Sequence, residues 1–123
     1  MATRPLFIGT PRPWLAIINN VTTVTDIATG VAGGTRIDSL SVYNDHSAGA
    51  VVNVIMFDGT SDRVIYQITA AQLITKGQFN VLAAMFPAQE KQVLLLRSGD
   101  KLKFQTPTAY ANNVTAMAIG GDF

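Results

Sequence analysis

At 123 residues the chain is sized for one domain, and with no cysteine it excludes disulfides, thiolate metal sites and a cysteine nucleophile. Asp, Glu, Lys and Arg make up only 14%, against about 25% in an average soluble domain. Nine basic residues offset eight acidic ones for a net charge of +1, and their scatter excludes the basic face that phosphate neutralisation requires.

Hydrophobic residues reach 48%, so Ser, Thr, Asn, Gln and Gly must clothe much of the exterior. Either this is a neutral, Thr/Asn-rich monomer surface, or part of it is covered by other chains. The second reading is favoured, because depletion of charge marks interface cores. No run approaches the roughly 20 apolar residues of a membrane helix. The start, with Arg4, Pro5, Pro11, Arg12 and Pro13, lacks the apolar core of a signal peptide.

Residues 1–13 read as an extended arm preceding a domain at 14–123. Three prolines within it remove backbone donors and disfavour both helix and central strand, while Phe7, Ile8 and Trp14 offer apolar contacts. The arm either packs on its own domain or reaches a neighbouring subunit.

From Trp14 onward, short apolar runs alternate with turn residues. The runs are 14–19, 21–27, 35–43, 51–57, 63–69, 79–86, 92–97, 101–105 and 113–119. Many short β-branched runs divided by Gly, Asn, Asp and Ser predict a sandwich or barrel. Strict alternation in 63–70 (Val64, Tyr66, Ile68, Ala70) and in 101–105 (Leu102, Phe104) predicts strands with one wet face. Residues 51–57 are apolar on both faces, so that strand is central or pressed on a partner. The phase slips between Ile37 and Leu40, which predicts a bulge near Asp38 and Ser39. Ser98-Gly99-Asp100 predicts a tight hairpin, Asp58-Gly59 begins a looser turn, and only 69–76 looks mildly helical. The fold expected is all-β: an antiparallel, jelly-roll-like β-sandwich of about eight strands with an extended N-terminal arm.

Chemistry is thinly represented. His46 is the sole histidine, set in a loop beside Asp45, and reads as solvent-exposed; a metal site needs two or three ligands at matched spacing. Most carboxylates fall in turns, where Asp bonds its own backbone. Asp58-Gly-Thr-Ser-Asp62 resembles a calcium-loop fragment but lacks the remaining ligands and the late Glu. Gly33-Gly34 and Gly120-Gly121 open no helix, so they read as strand-end turns rather than phosphate loops. Tyr110, in a loop, is the best candidate for an exposed aromatic contact, whereas Tyr66 is expected to face the core. No catalytic, metal or cofactor-binding residue is assigned, and no enzyme activity is expected.

The order of segments resembles the small β-sandwich virion proteins of tailed bacteriophages: head decoration (cement) proteins and related accessory structural proteins. The likeness runs from Thr35 onward. It rests on TRIDSLSVYND (35–45), VVNVIMFD (51–58), the leucine-rich hairpin VLLLRSGDKLKFQTPTA (93–109) and the closing NVTAMAIGGDF (113–123). The resemblance implies a homo-oligomer located in the virion, made in the host cytoplasm. Its partners would be copies of itself and other virion proteins such as the major capsid protein, with no nucleic acid and no membrane. Arg4, Pro5, Phe7, Arg12, Trp14, Tyr110 and Phe123 are the expected subunit-interface residues. A neck or tail accessory protein is one alternative. A glycan- or receptor-binding module on the same fold is another, and would gather exposed aromatics in loops 43–49 and 106–113.

Overall fold

The computed structural model describes residues 10–18, 24–87, 93–107 and 114–123. Among them, the first sheet contains β1 (Thr10–Ile17), β3 (Thr35–Asn44), β6 (Gly77–Asn80), β7 (Leu94–Leu96) and β9 (Val114–Asp122). The second contains β2 (Thr25–Thr29), β4 (Val52–Phe57), β5 (Asp62–Ile68) and β8 (Lys101–Gln105). The single described helix, α1, spans Val81–Met85.

Every pairing is antiparallel. The first sheet runs β1-β9-β3-β6 and the second β2-β8-β4-β5. Strand β7 pairs with Thr35–Ile37 of β3, and β6 with Ser41–Asn44 of the same edge. The two therefore occupy one strand position, broken by α1 and the connection after it. Eight positions, four to a sheet, with the chain crossing repeatedly between sheets, make a jelly roll. The expected all-β sandwich of about eight strands is what forms.

Burial follows the pleat. Ile37, Leu40, Val42, Val114, Ala116 and Ala118 from the first sheet face Ile27, Val52, Val54, Ile68, Leu102 and Phe104 from the second. The apolar-on-both-faces strand 51–57 is indeed central: β4 lies between β8 and β5.

Irregularities fall where side chains force them. Ile37 pairs with Gly120 and Ser39 with Ile119, leaving Asp38 as the extra residue of a bulge; only so can Ile37 and Leu40 both point inward. Gly120 and Gly121, read as a turn, instead lie inside β9. A Cβ on Gly120 would sit 1.9 Å from the Arg36 carbonyl oxygen, so glycine here answers a close backbone approach.

Two further readings are corrected. Residues 70–76 form turns rather than helix, and the helix begins at Val81, inside a run read as strand. There the Asn80 side chain accepts from the Ala83 N–H at 3.2 Å, a local cap that ends β6 and starts α1. In β5, Tyr66 pairs with Val54 but Val64 pairs with Ile55, with Ile65 extra between them. This second bulge turns Val64 outward, where it is 59% exposed, while Tyr66 packs against the core as expected.

Strand β1 starts at Thr10, within the stretch read as an arm. Pro11 and Pro13 are tolerated because β1 is an edge strand, needing no donor on the side away from β9. Inside the fold, Asp122 anchors this edge: its carboxylate accepts from Arg12 Nη1 and from the Thr35 hydroxyl, each at 2.8 Å. At the opposite end of the sheet, buried Asn44 donates to the carbonyls of Ala48, Leu73 and Ile74 and accepts from the His46 N–H. It thereby ties the 44–50 loop to the 70–76 turns.

The tight turn predicted at Ser98-Gly99-Asp100 forms, but not as a hairpin: β7 pairs with β3 in the first sheet and β8 with β2 and β4 in the second, so the turn carries the chain from one sheet to the other. Asp100 accepts from the Arg97 backbone N–H at 2.9 Å and from its guanidinium at 3.0 and 3.3 Å. The Arg97 guanidinium, and then the Arg97 amide, hold the Asp100 carboxyl below its ordinary value. A carboxyl depressed in the folded state stabilises the fold above its unfolded value, about 4. That contribution is lost as pH falls through the folded value. Asp100→Ala is therefore expected to lower stability by about 1 kcal/mol at pH 7. The gap to the parent chain should narrow on acidification, as read from urea midpoints across pH; a gap constant with pH would discount the carboxylate's role.

Candidate assembly surfaces

The two sheets present outer faces of opposite character. On the second sheet, the outward side chains of β8 are Lys101 and Lys103. Lys103 lies 3.0 Å from Asp62 and 4.0 Å from Asp26, and Lys101 lies 3.7 Å from Asp26. Both ammonium groups stand over the Phe57 ring, at 5.8 and 4.8 Å from its centroid, and Gln67 bonds Asn53 across β4 and β5 at 2.8 Å. Opposite signs on β2, β8 and β5 satisfy one another across this surface, with Phe57 of β4 beneath the lysines and Val64 of β5 exposed beside them.

The first sheet's outer face has three cross-strand rows. Ile17 pairs with Thr115, which pairs with Tyr43; Leu15 with Met117, then Ser41; Pro13 with Ile119, then Ser39. On the far side Gln78 pairs with Tyr43 and Asn80 with Ser41. None of these outward positions is a carboxylate or a cation. Leu15 is 72% exposed, Ile17 58%, Ile119 48% and Met117 39%. These rows thus grade from an apolar half on β1 and β9 to a polar half on β3 and β6; beyond them Leu95 of β7, exposed, pairs with Arg36, which is ion-paired with Asp38 at 2.7 Å. In that polar half, Ser39, Ser41, Gln78, Asn80 and Met117 line a shallow depression. Single exposed apolar side chains are ordinary, but four contiguous ones on two paired strands mark a contact surface.

The expected interface residues fall partly on this architecture. Arg12 and Trp14 both lie on the inward phase of β1: Trp14 packs against the core, with the Arg12 guanidinium 5.5 Å from its ring centroid. Phe123 is half-exposed; its N–H bonds the Gly34 carbonyl at 3.0 Å and its ring lies beside Gly34. Arg4, Pro5, Phe7 and Tyr110 lie outside the described residues. Leu15, Ile17, Met117 and Ile119 were not singled out in the sequence. The available signal was their strict alternation with Trp14, Ala16, Ala116 and Ala118 in strands whose other row is the core.

Polar groups elsewhere are engaged locally. Asp58 accepts from the N–H groups of Thr60 and Ser61 at 2.9 and 3.0 Å, which hold its carboxyl below the ordinary value, Ser61 most. The calcium-like fragment is therefore a turn. His46 is half-buried rather than fully exposed; its carbonyl accepts from the Thr75 hydroxyl. Lys76 bonds Asp45, whose carboxylate raises the ammonium's pKa. Among the described residues no group of three His, Asp or Glu side chains could hold a metal ion, and no helix is long and apolar enough to cross a membrane.

No family profile matches the chain, and no curated protein matches it. Eight chains of solved structures do. One is a crystal structure of a pentameric capsid protein isolated from metagenomic phage sequences, 16% identical with a TM-score of 0.46. A second crystal structure under the same description, solved by iodide SAD phasing, is 17% identical with a TM-score of 0.43. Each alignment covers 98% of this chain, which spans 64% and 65% of the two solved chains respectively.

Proposed function

We propose that the chain is a virion structural protein, a capsid decoration or cement subunit that stabilises a bacteriophage particle through contacts among copies and with the major capsid protein. One observation carries this reading: the charge is segregated, leaving three cross-strand rows of the first sheet's outer face, from Pro13 to Tyr43, uncharged and half apolar, with Arg36 and Asp38 paired to each other beyond them. A monomer gains nothing from such a face in water, whereas burying it against neighbours is favourable by about 25 cal/mol for each Å² of apolar surface. The resemblance of segments 35–45, 51–58, 93–109 and 113–123 to phage decoration proteins points the same way. Residues 1–9 then serve as an arm reaching a neighbouring subunit, with Arg4, Pro5 and Phe7 at the contact and Tyr110 and Phe123 at the periphery.

The test is the native mass of the chain across a concentration series, with electron microscopy of the products. Closed, symmetric assemblies of several copies are expected, alone or on mixing with phage capsid shells. A chain that neither forms them nor adds to shells is not a structural subunit of this kind.

A further inference from the structure

We propose that the outer face of the first sheet is a self-association surface, on which a second copy of this chain packs face to face about a two-fold axis. This rests on the structural-subunit reading above and names the first partner of its uncharged rows.

Charge selects the occupant. The three rows from Pro13 to Tyr43 carry neither sign, so a partner presenting charged groups would strip them of water with nothing in return. A second copy brings the same three uncharged rows, and the Arg36–Asp38 ion pair beyond the Pro13 row is already neutralised within each copy. The gradient across the sheet fixes the orientation. With the axis passing through the β1–β9 half, Leu15, Ile17, Met117 and Ile119 of one copy cover those of the other. The Ser39, Ser41, Gln78 and Asn80 half then falls at the hydrated rim, the usual division of an interface into apolar core and polar rim.

Size is consistent with a modest interface. Four strands about 4.8 Å apart and roughly eight residues long present a face of roughly 19 by 26 Å, about 500 Å² before side-chain relief. A standard interface takes about 800 Å² from each partner, so the face supports a weak, concentration-dependent pair. Sandwich sheets already pack on one another in this way, with strands crossing at about 30°.

Edge pairing is the competing route to association, and β1 is poorly suited to it. Pro11 and Pro13 remove two of the donors along its free edge. Sheet-face packing needs no such donors.

The absence of native cysteine gives a clean test. Leu15→Cys, Met117→Cys and Ile119→Cys are made singly in the full chain, with Thr29→Cys on the second sheet as control. Under mild oxidation, at least one of the three should give a disulfide-linked dimer much faster than Thr29→Cys does. Equal rates for all four overturn the proposal. In sedimentation, Leu15→Lys/Ile119→Lys should raise the dimer dissociation constant by more than about tenfold, with the unfolding midpoint unchanged. Association that persists in the double variant assigns it to another surface and also overturns the proposal. A parent chain that is monomeric at every concentration does the same, leaving residues 1–9 or a different protein to cover the face. The two readings fail separately. Closed assemblies without face-to-face disulfides sink this inference alone, whereas a trapped dimer that neither grows beyond two copies nor adds to phage capsid shells sinks the virion role alone.

Discussion

Gly120→Ala is expected to destabilise the fold by about 3 kcal/mol, a large part of the 5–15 kcal/mol typical of a domain. The added methyl would stand 1.9 Å from the Arg36 carbonyl oxygen and 2.9 Å from both the Arg36 carbonyl carbon and the Ile37 Cα. All three are backbone atoms. They belong to β3 where Asp38 bulges, and β9 is held on its other side by β1, so no side chain can rotate away to make room. The strand must shift or the bulge must open. Gly59→Ala gives the contrast: its φ is +96° and no atom lies within 4 Å. It should cost only the left-handed penalty of about 1–2 kcal/mol. Urea midpoints of the two variants measure the difference. A Gly120→Ala chain as stable as the parent would mean that the Ile37–Ser39 bulge is not where the pairing places it.

Phe104→Ala and Lys103→Ala are neighbours on β8 with opposite expected outcomes. Phe104 is fully buried between the sheets, and truncating it leaves a cavity in a close-packed core. The expected loss is about 3–5 kcal/mol. Lys103 points to the other side, bridging Asp62 and Asp26 over Phe57. Its truncation removes partly solvated ion pairs, costing about 1 kcal/mol or less. Because side chains alternate along a strand, a register slip of one residue would reverse the two results. Denaturant unfolding with unchanged slope separates them. A Lys103→Ala loss equal to that of Phe104→Ala would place both on the wrong faces.

The fold was legible where local pattern and tertiary role agree. Strand β8 announces itself by alternation, β4 by apolar residues on both faces, the 97–100 turn by Ser-Gly-Asp (though not its passage between sheets), and the Asp38 bulge by the phase slip from Ile37 to Leu40. Legibility failed where a distant strand decides the local geometry. Nothing near Gly120 in the chain reveals that the Arg36 carbonyl will press on it. Nor does the even spacing of Val64, Tyr66 and Ile68 reveal the extra residue Ile65, which exists only relative to β4. The first half of β1, residues 10–13, was hidden because proline in a strand is confined largely to edges and being an edge is a property of the sheet, while residues 14–17 were legible as the start of the run 14–19. The candidate surface was hidden for a related reason. Low total charge signals that some surface is covered, but only the pairing of β1 with β9 collects Leu15, Ile17, Met117 and Ile119 into one patch.

The position of β9 between β1 and β3 has a consequence for biogenesis. It is the last described strand to be synthesised, yet it is the centrepiece of the first sheet, joined to residues more than a hundred positions earlier through the Arg12–Asp122 pair. Until residues through 122 have left the ribosome, β1 has no partner and β3 lacks its principal neighbour. Loop closure over that span is slow, so β1 waits unpaired until translation is nearly complete, whereas β4 and β5 can pair long before. Pro11 and Pro13, which withhold donors from that waiting strand, therefore also limit its premature pairing with another chain.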